Sequence, residues 1–151
     1  MVFDIHSRLP YPSCELSNFA HHPFTVDGVS FGGMEGFLQG LKVEKPALQL
    51  ELFKLYGLAA YREGQKHNRK SDTLWFKGTP INRHSEAYFR LVKTMYFKMA
   101  IQNEKFRKAL IDTGDKILIH SIGKTSPMET ILTNDEFCGI LTEIRTIVSK
   151  I

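Results

Sequence analysis

The sequence predicts an α+β domain, mostly helical, with a small sheet or hairpin as its β-structure. Three observations carry that expectation. Thr133 and Glu136 form a capping box ahead of a long apolar stripe, Phe137, Ile140, Leu141, Ile144, Val148 and Ile151, which marks a helix start and its buried face. A second stripe, Phe89, Val92, Tyr96 and Met99, follows Ser85, a good N-cap, and predicts the longest helix. The β signals are short by comparison. Phe24-Thr25-Val26 and Val29-Ser30-Phe31 flank Asp27-Gly28, a pair suited to a two-residue hairpin turn.

The other elements follow in order. The first third is rich in loops. After the hairpin, Gly32-Gly33 breaks the strand, and Met34, Phe37, Leu38 and Leu41 fall at i, i+3, i+4 and i+7, a helical period. Pro46 suits the first turn of a second helix reaching about Tyr56, with Leu48, Leu52 and Phe53 on its apolar side. Leu58 to Glu63 adds a short helix that Gly64 ends. Residues 65–72 hold Lys66, His67, Arg69 and Lys70 and read as a surface loop, followed by the apolar patch Leu74-Trp75-Phe76 and a Gly78-Thr79-Pro80 turn. Phe106 to Thr113 forms a helix that Gly114 terminates. Lys116 to His120 has the apolar run of a buried strand.

With 151 residues the chain has the length of one domain, 1–151, able to bury roughly two-thirds of its unfolded surface. A hydrophobic share of 42%, with 11 Phe and 5 Tyr, excludes disorder as the main state. No apolar run approaches the ~20 residues that cross a bilayer, and the N-terminus lacks the pattern of a secretory signal. Cys14 and Cys138 lie far apart, outside any CxxC spacing, and read as reduced thiols of a cytoplasmic protein with no membrane partner. Twenty basic against 16 acidic residues give +4, a mild excess that favours anionic ligands.

Chemistry-bearing residues concentrate on the helix after Gly33. Glu35, Gln39 and Lys42 stand at i, i+4 and i+7 and share one face, opposite the apolar anchors. A carboxyl, an amide and an amine so arranged suit acid/base and nucleophilic roles. By spacing alone the same face suits a solvated surface with a weak ion pair. Trp75, the sole tryptophan, suits either stacking on a base or a place in the core. His120, at a strand end and followed by Ser121, suits a cleft or a satisfied structural role. The histidines show no HExxH or HxH, and no GxGxxG or GxxxxGK[ST] occurs. No metal and no cofactor is therefore expected.

Several segments together resemble a known family. Leu16-Ser17-Asn18-Phe19-Ala20, Pro23-Phe24, Asp27-Gly28, and Met34-Glu35 with Gln39 and Lys42 look like the opening of the NADAR superfamily, the group that includes the YbiA-type N-glycosidases. The resemblance runs on through Gln102-Asn103-Glu104-Lys105-Phe106, Leu110 to Asp115, and Leu141-Thr142-Glu143-Ile144-Arg145. It covers nearly the whole chain, and it is the ordered set that is specific. Two departures stand out. Gly36 replaces the histidine that often follows the glutamate. His120-Ser121-Ile122-Gly123-Lys124 replaces an acidic residue and an Asp-x-x-Trp-Gly loop.

The resemblance implies an N-glycosidase that cleaves the bond between ribose and a nucleobase or amine. Its ligand would be ADP-ribose, a related ribose phosphate, or an ADP-ribosylated nucleobase, free or in DNA. Glu35 matches the catalytic glutamate and Lys42 a lysine that attacks the anomeric carbon. Asn18, Phe19 and Gln39 match cleft-lining positions, and Trp75 a tryptophan bordering the ligand. Arg62, Lys66 and Arg69 are candidates for the diphosphate, and His120 and Ser121 for a pocket wall. No second carboxylate shares the Glu35 face; Asp112 and Asp115 are the other acidic candidates. One rival reading is a non-catalytic binder of ADP-ribose or a related nucleotide. Another is a nucleic-acid-binding module using the basic loop, which the mixed charge distribution argues against.

Overall fold

A computed structural model describes residues 1–151. Seven helices surround three separate two-stranded sheets. Strand β1 (Val2–Asp4) pairs in parallel with β6 (Ile117–Ile119), Phe3 opposite Leu118. Strands β2 (Phe24–Val26) and β3 (Val29–Phe31) form the expected hairpin, with Asp27 at φ 50° and Gly28 at φ 80°. That is the left-handed pair a tight hairpin demands. Strands β4 (Thr73–Phe76) and β5 (Thr79–Asn82) form a second hairpin around Lys77 and Gly78, again both at positive φ.

The helices are α1 (Ser13–Leu16), α2 (Met34–Gly40), α3 (Pro46–Phe53), α4 (Gly57–Gln65), α5 (Glu86–Gln102), α6 (Glu104–Asp112) and α7 (Asn134–Val148). Ser85 caps α5 by accepting from the Tyr88 amide, and Thr133 and Glu136 make both bonds of the capping box at α7. One continuous core runs from Ile5 through Phe37, Tyr96 and Phe106 to Val148. No helix is long and apolar enough to cross a membrane.

Several expectations need correction. Helix α3 stops at Phe53 rather than Tyr56, because Tyr56 is extended and Gly57 takes φ 57°. Leu48 is exposed, not part of the apolar side. Gly64 lies inside α4 instead of ending it. It is glycine because a Cβ there would come within 1.9 Å of Gln39 Oε1. β6 is not a buried strand: Leu118 faces the core while Ile117 is exposed, as alternation on a two-stranded pair requires. Ile151 lies beyond α7 and is exposed. Strand β1 and helix α1 are too short for any periodicity to reveal them.

Candidate active site

Helix α2 is buried along its whole length. Met34, Phe37, Leu38 and Leu41 enter the core. On the other side Glu35 and Gln39 are buried too, so this is no solvated face. The backbone joining α3 to α4 closes over the helix at Gly36, where a Cβ would lie 2.1 Å from the Leu55 carbonyl. Any side chain at position 36 would force the two segments apart. After Gly40 the chain continues in tighter i→i+3 bonds, Lys42 N–H to Gln39 O at 3.1 Å and Val43 N–H to Gly40 O at 3.2 Å. Those turns carry Lys42 to the edge of the same face.

The face forms the floor of a cleft of about 470 Å³. Gln39 Nε2 donates to Glu35 Oε2 at 2.7 Å, while Gln39 Oε1 is buried without a partner. Burial pushes the Glu35 carboxyl above its usual range, although the Gln39 N–H and the Lys42 charge pull the other way. Lys42 is half-buried and forms no ion pair with Glu35 or any other carboxylate. Its pKa is lowered, first by burial and then by the nearby Arg69 and Lys124 cations, against the opposing pull of Glu35. The floor thus holds a carboxyl shifted toward its protonated form beside an amine shifted toward its neutral form.

The rim comes from elsewhere in the chain. Asn18 and Phe19 precede the hairpin; Asn18 O accepts from Glu35 N–H at 3.3 Å, and Asn18 Oδ1 accepts from the Tyr96 hydroxyl at 2.5 Å. Phe19 packs against Tyr61 of α4, with ring centroids 6.0 Å apart. His120 Nδ1–H donates to Ile5 O, 2.7 Å away, and the ring sits edge-on to Phe137. The far wall is the irregular segment 120–132. Arg69 Nη2 donates to the carbonyls of Pro127 and Met128 at 2.8 and 3.0 Å, Arg83 Nε to Thr130 O at 3.0 Å, and Tyr88 Oη to Ile131 O.

The structure therefore brings Asn18, Phe19, Glu35, Gln39, Lys42, Arg69 and His120 to one cleft. Six expected positions lie off it. Trp75 is tied by its backbone to Leu41 O and to Gln49 Nε2, and its half-buried side chain does not reach the cleft. Arg62 is exposed on the outer side of α4. Ser121 is turned away to Asp4, donating from Oγ at 2.5 Å and from its amide at 3.0 Å. Lys66 pairs with Glu63 instead of facing the cleft, and Asp112 is held by Tyr11 and Lys108. Asp115 is exposed and also outside the cleft. Arg69 lines the cleft with only part of its guanidinium engaged: Nη2 is taken by loop carbonyls, while Nη1, 3.5 Å from Asp72, is buried without a hydrogen-bond partner.

Sequence reasoning gave no site role to Tyr61 or Gln65, both cleft-lining, whereas Lys124, the end of the segment expected to form a pocket wall, does line the cleft. Tyr61 and Gln65 share an α4 face at i, i+4, the same signal that marked Glu35 and Gln39.

Comparison with known proteins settles the family. The family model of bacteriophage protein GP30.3 matches residues 10–146. An uncharacterized 17.1 kDa protein from the Gp30–rIII intergenic region of enterobacteria phage T4 is 46% identical over 145 residues, covering 94% of this chain and 95% of that protein. The chain belongs to the bacteriophage GP30.3 family. Among solved structures, E. coli YbiA, determined by NMR, superimposes on this GP30.3-family chain with a TM-score of 0.69. The match covers 99% of this chain and 85% of YbiA at 16% identity. The fold expected from the family resemblance is thus the fold observed.

Proposed function

We propose that this chain is an N-glycosidase that cleaves the bond between the ribose of an ADP-ribose-type ligand and a nucleobase or amine. The observation that carries the reading is the pairing, on one cleft floor, of a buried Glu35 with raised pKa and an unpaired Lys42 with lowered pKa. Glu35 donates its proton to the leaving nitrogen as the C1–N bond breaks. The neutral Lys42 amine forms a new bond to C1, and the proton it sheds returns to Glu35. Opening of the ribose ring at the C1–O bond, with the remaining N–H proton of the adduct passing to the ring oxygen, gives an imine. One water then hydrolyses the imine, freeing Lys42 and leaving an aldehyde at C1, onto which the C4 hydroxyl recloses to restore the ring with a hydroxyl on C1. Lys124 and the Arg69 guanidinium give that side of the cleft the positive potential a phosphorylated ribose requires.

The test is a substrate panel: ADP-ribosylated guanine in DNA, ADP-ribosyl-thymidine in DNA, NAD and an aminated ribose phosphate, with mass spectrometry reading which glycosidic bond breaks. Borohydride added during turnover is expected to leave a ribose-containing secondary amine on the Lys42 peptide, absent from Lys42→Arg and Lys42→Ala. Arginine keeps the charge and cannot form the adduct. An active Lys42→Arg protein without an adduct removes the covalent step and leaves Glu35 with an activated water.

A further inference from the structure

Tyr96 is almost fully buried and belongs to the apolar stripe of α5. Its ring lies 6.0 Å from that of Phe137, and nothing in the chemistry above uses it. Its hydroxyl, however, donates to Asn18 Oδ1 at 2.5 Å. Burial holds the phenol well above its ordinary pKa, with the Asn18 bond opposing and the neighbouring Glu35 adding to the rise. The group therefore stays a donor. A carboxamide has one oxygen that accepts and one nitrogen that donates. With Oδ1 turned to Tyr96, Nδ2 must point the other way. Asn18 lines the cleft, and its Nδ2 has no protein partner and is not sealed from solvent.

We propose that Tyr96 is a positioning residue, whose bond to Oδ1 holds the Asn18 carboxamide with its N–H groups facing the cleft as fixed donors to an oxygen of the bound ligand. The inference rests on the reading that this cleft takes a ribose-bearing ligand. Asn18 is coupled to the reacting groups as well, since its carbonyl accepts from the Glu35 amide. Without the Tyr96 hydroxyl the carboxamide is free to rotate and present its oxygen, which a ring or phosphate oxygen of the ligand, able only to accept, meets unfavourably. A locked donor also spares the ligand the cost of ordering it.

Tyr96→Phe removes one oxygen and keeps the ring. In 15N-edited NMR of the free protein, the Asn18 side-chain amide signals are expected to move toward the average of a freely rotating carboxamide. ADP-ribose binding, measured by calorimetry, is expected to weaken by roughly 3- to 10-fold, the range for one neutral hydrogen bond. The double variant Tyr96→Phe/Asn18→Ala is expected to bind no more weakly than Asn18→Ala alone, because Tyr96 acts through Asn18. Asn18→Asp leaves Tyr96 an acceptor and removes the donors, so it is expected to bind at least as weakly as Tyr96→Phe. It carries the test should Tyr96→Phe fail to fold.

Unmoved Asn18 signals, additive losses in the double variant, or a lowered melting temperature with unchanged affinity would each overturn the proposal. So would a wild-type protein that does not bind ADP-ribose. Failure of the glycosidase reading looks different. The substrate panel would stay uncleaved while the Asn18 signals and the binding cycle behave as expected.

Discussion

The floor and the far wall of the cleft are built on opposite principles. The floor is helix α2 with the turn that follows it: the helix spaces Glu35 and Gln39, joined to each other one turn apart, and the turn after Gly40 adds Lys42. The wall, residues 120–132, contains no helix or strand. It is held by side chains reaching in from distant positions: Arg69 to Pro127 and Met128, Arg83 to Thr130, Tyr88 to Ile131. A floor of that kind tolerates little change in spacing, whereas a wall of that kind can vary in sequence if its carbonyls still meet their donors. In the proposed chemistry the difference divides the labour: the groups assigned to the reaction sit on the regular element, and ligand shape is left to the strapped one.

The largest expected effect tests the wall. Arg83 is buried, holds Glu136 through its two terminal guanidinium nitrogens at 2.7 and 3.2 Å, and bonds Thr130 O through Nε. Arg83→Leu breaks all three contacts and leaves a half-buried carboxylate unpaired. It should cost roughly 3 kcal/mol in urea unfolding. The pH dependence has a definite sign. Burial pushes Glu136 up, but Arg83 and the Thr133 amide outweigh it and leave the carboxyl below its ordinary value. The pair's contribution is therefore present above the unfolded pKa and lost as pH falls through the folded one. The variant should lack that acid-side loss; an unchanged urea midpoint would show that the wall does not depend on this strap.

The second effect tests the floor. Glu35→Gln keeps shape and removes the acid, so turnover should fall by roughly 100-fold or more while ligand still binds. Stability should move the opposite way. Because burial raises the Glu35 pKa, the folded state holds the proton more tightly than the unfolded one. Stability is full below the unfolded pKa and declines as pH rises through the folded value. Melting curves at neutral pH should find the variant more stable than wild type. A variant with lower stability and normal turnover would make Glu35 a structural group.

That contrast also explains what the sequence could reveal. The spacing of Glu35 and Gln39 was visible because one helix sets it, and the capping box of α7 because it is local; Lys42, beyond the end of α2, keeps to that face through the turn after Gly40. Burial of the same face was not visible, since it depends on Gly36 meeting Leu55 and Gly64 meeting Gln39, contacts that no periodicity encodes. The straps were hidden for a similar reason: their acceptors are backbone carbonyls, which carry no residue identity. Tyr96 was hidden by its stripe, where one hydroxyl does not alter an apolar pattern. Trp75 misled in the opposite direction, because an aromatic beside a basic loop suggests stacking while the β4–β5 hairpin turns it elsewhere.

The smallest effect joins the two regions, and Arg69 is where they meet. Its Nη2 bonds two carbonyls of the wall, and its charge lowers the pKa of Lys42 on the floor. Two replacements separate the two jobs. Arg69→Met removes both, so ligand affinity should weaken by roughly threefold as the wall loosens. Its Lys42 amine should also lose reactivity at a given pH, because relief from a neighbouring cation moves the pKa upward. Following the rate of Lys42 modification by an amine-directed reagent against pH, peptide by peptide in the mass spectrometer, should show the midpoint displaced to higher pH. Arg69→Lys keeps the charge but lacks the planar fork that spans two carbonyls. It should weaken the ligand nearly as much while leaving the Lys42 midpoint close to wild type. If both variants shift the midpoint equally, the wall's geometry sets the lysine's environment and the cation's charge does not. If neither changes affinity, the strap at Pro127 and Met128 has no part in holding ligand.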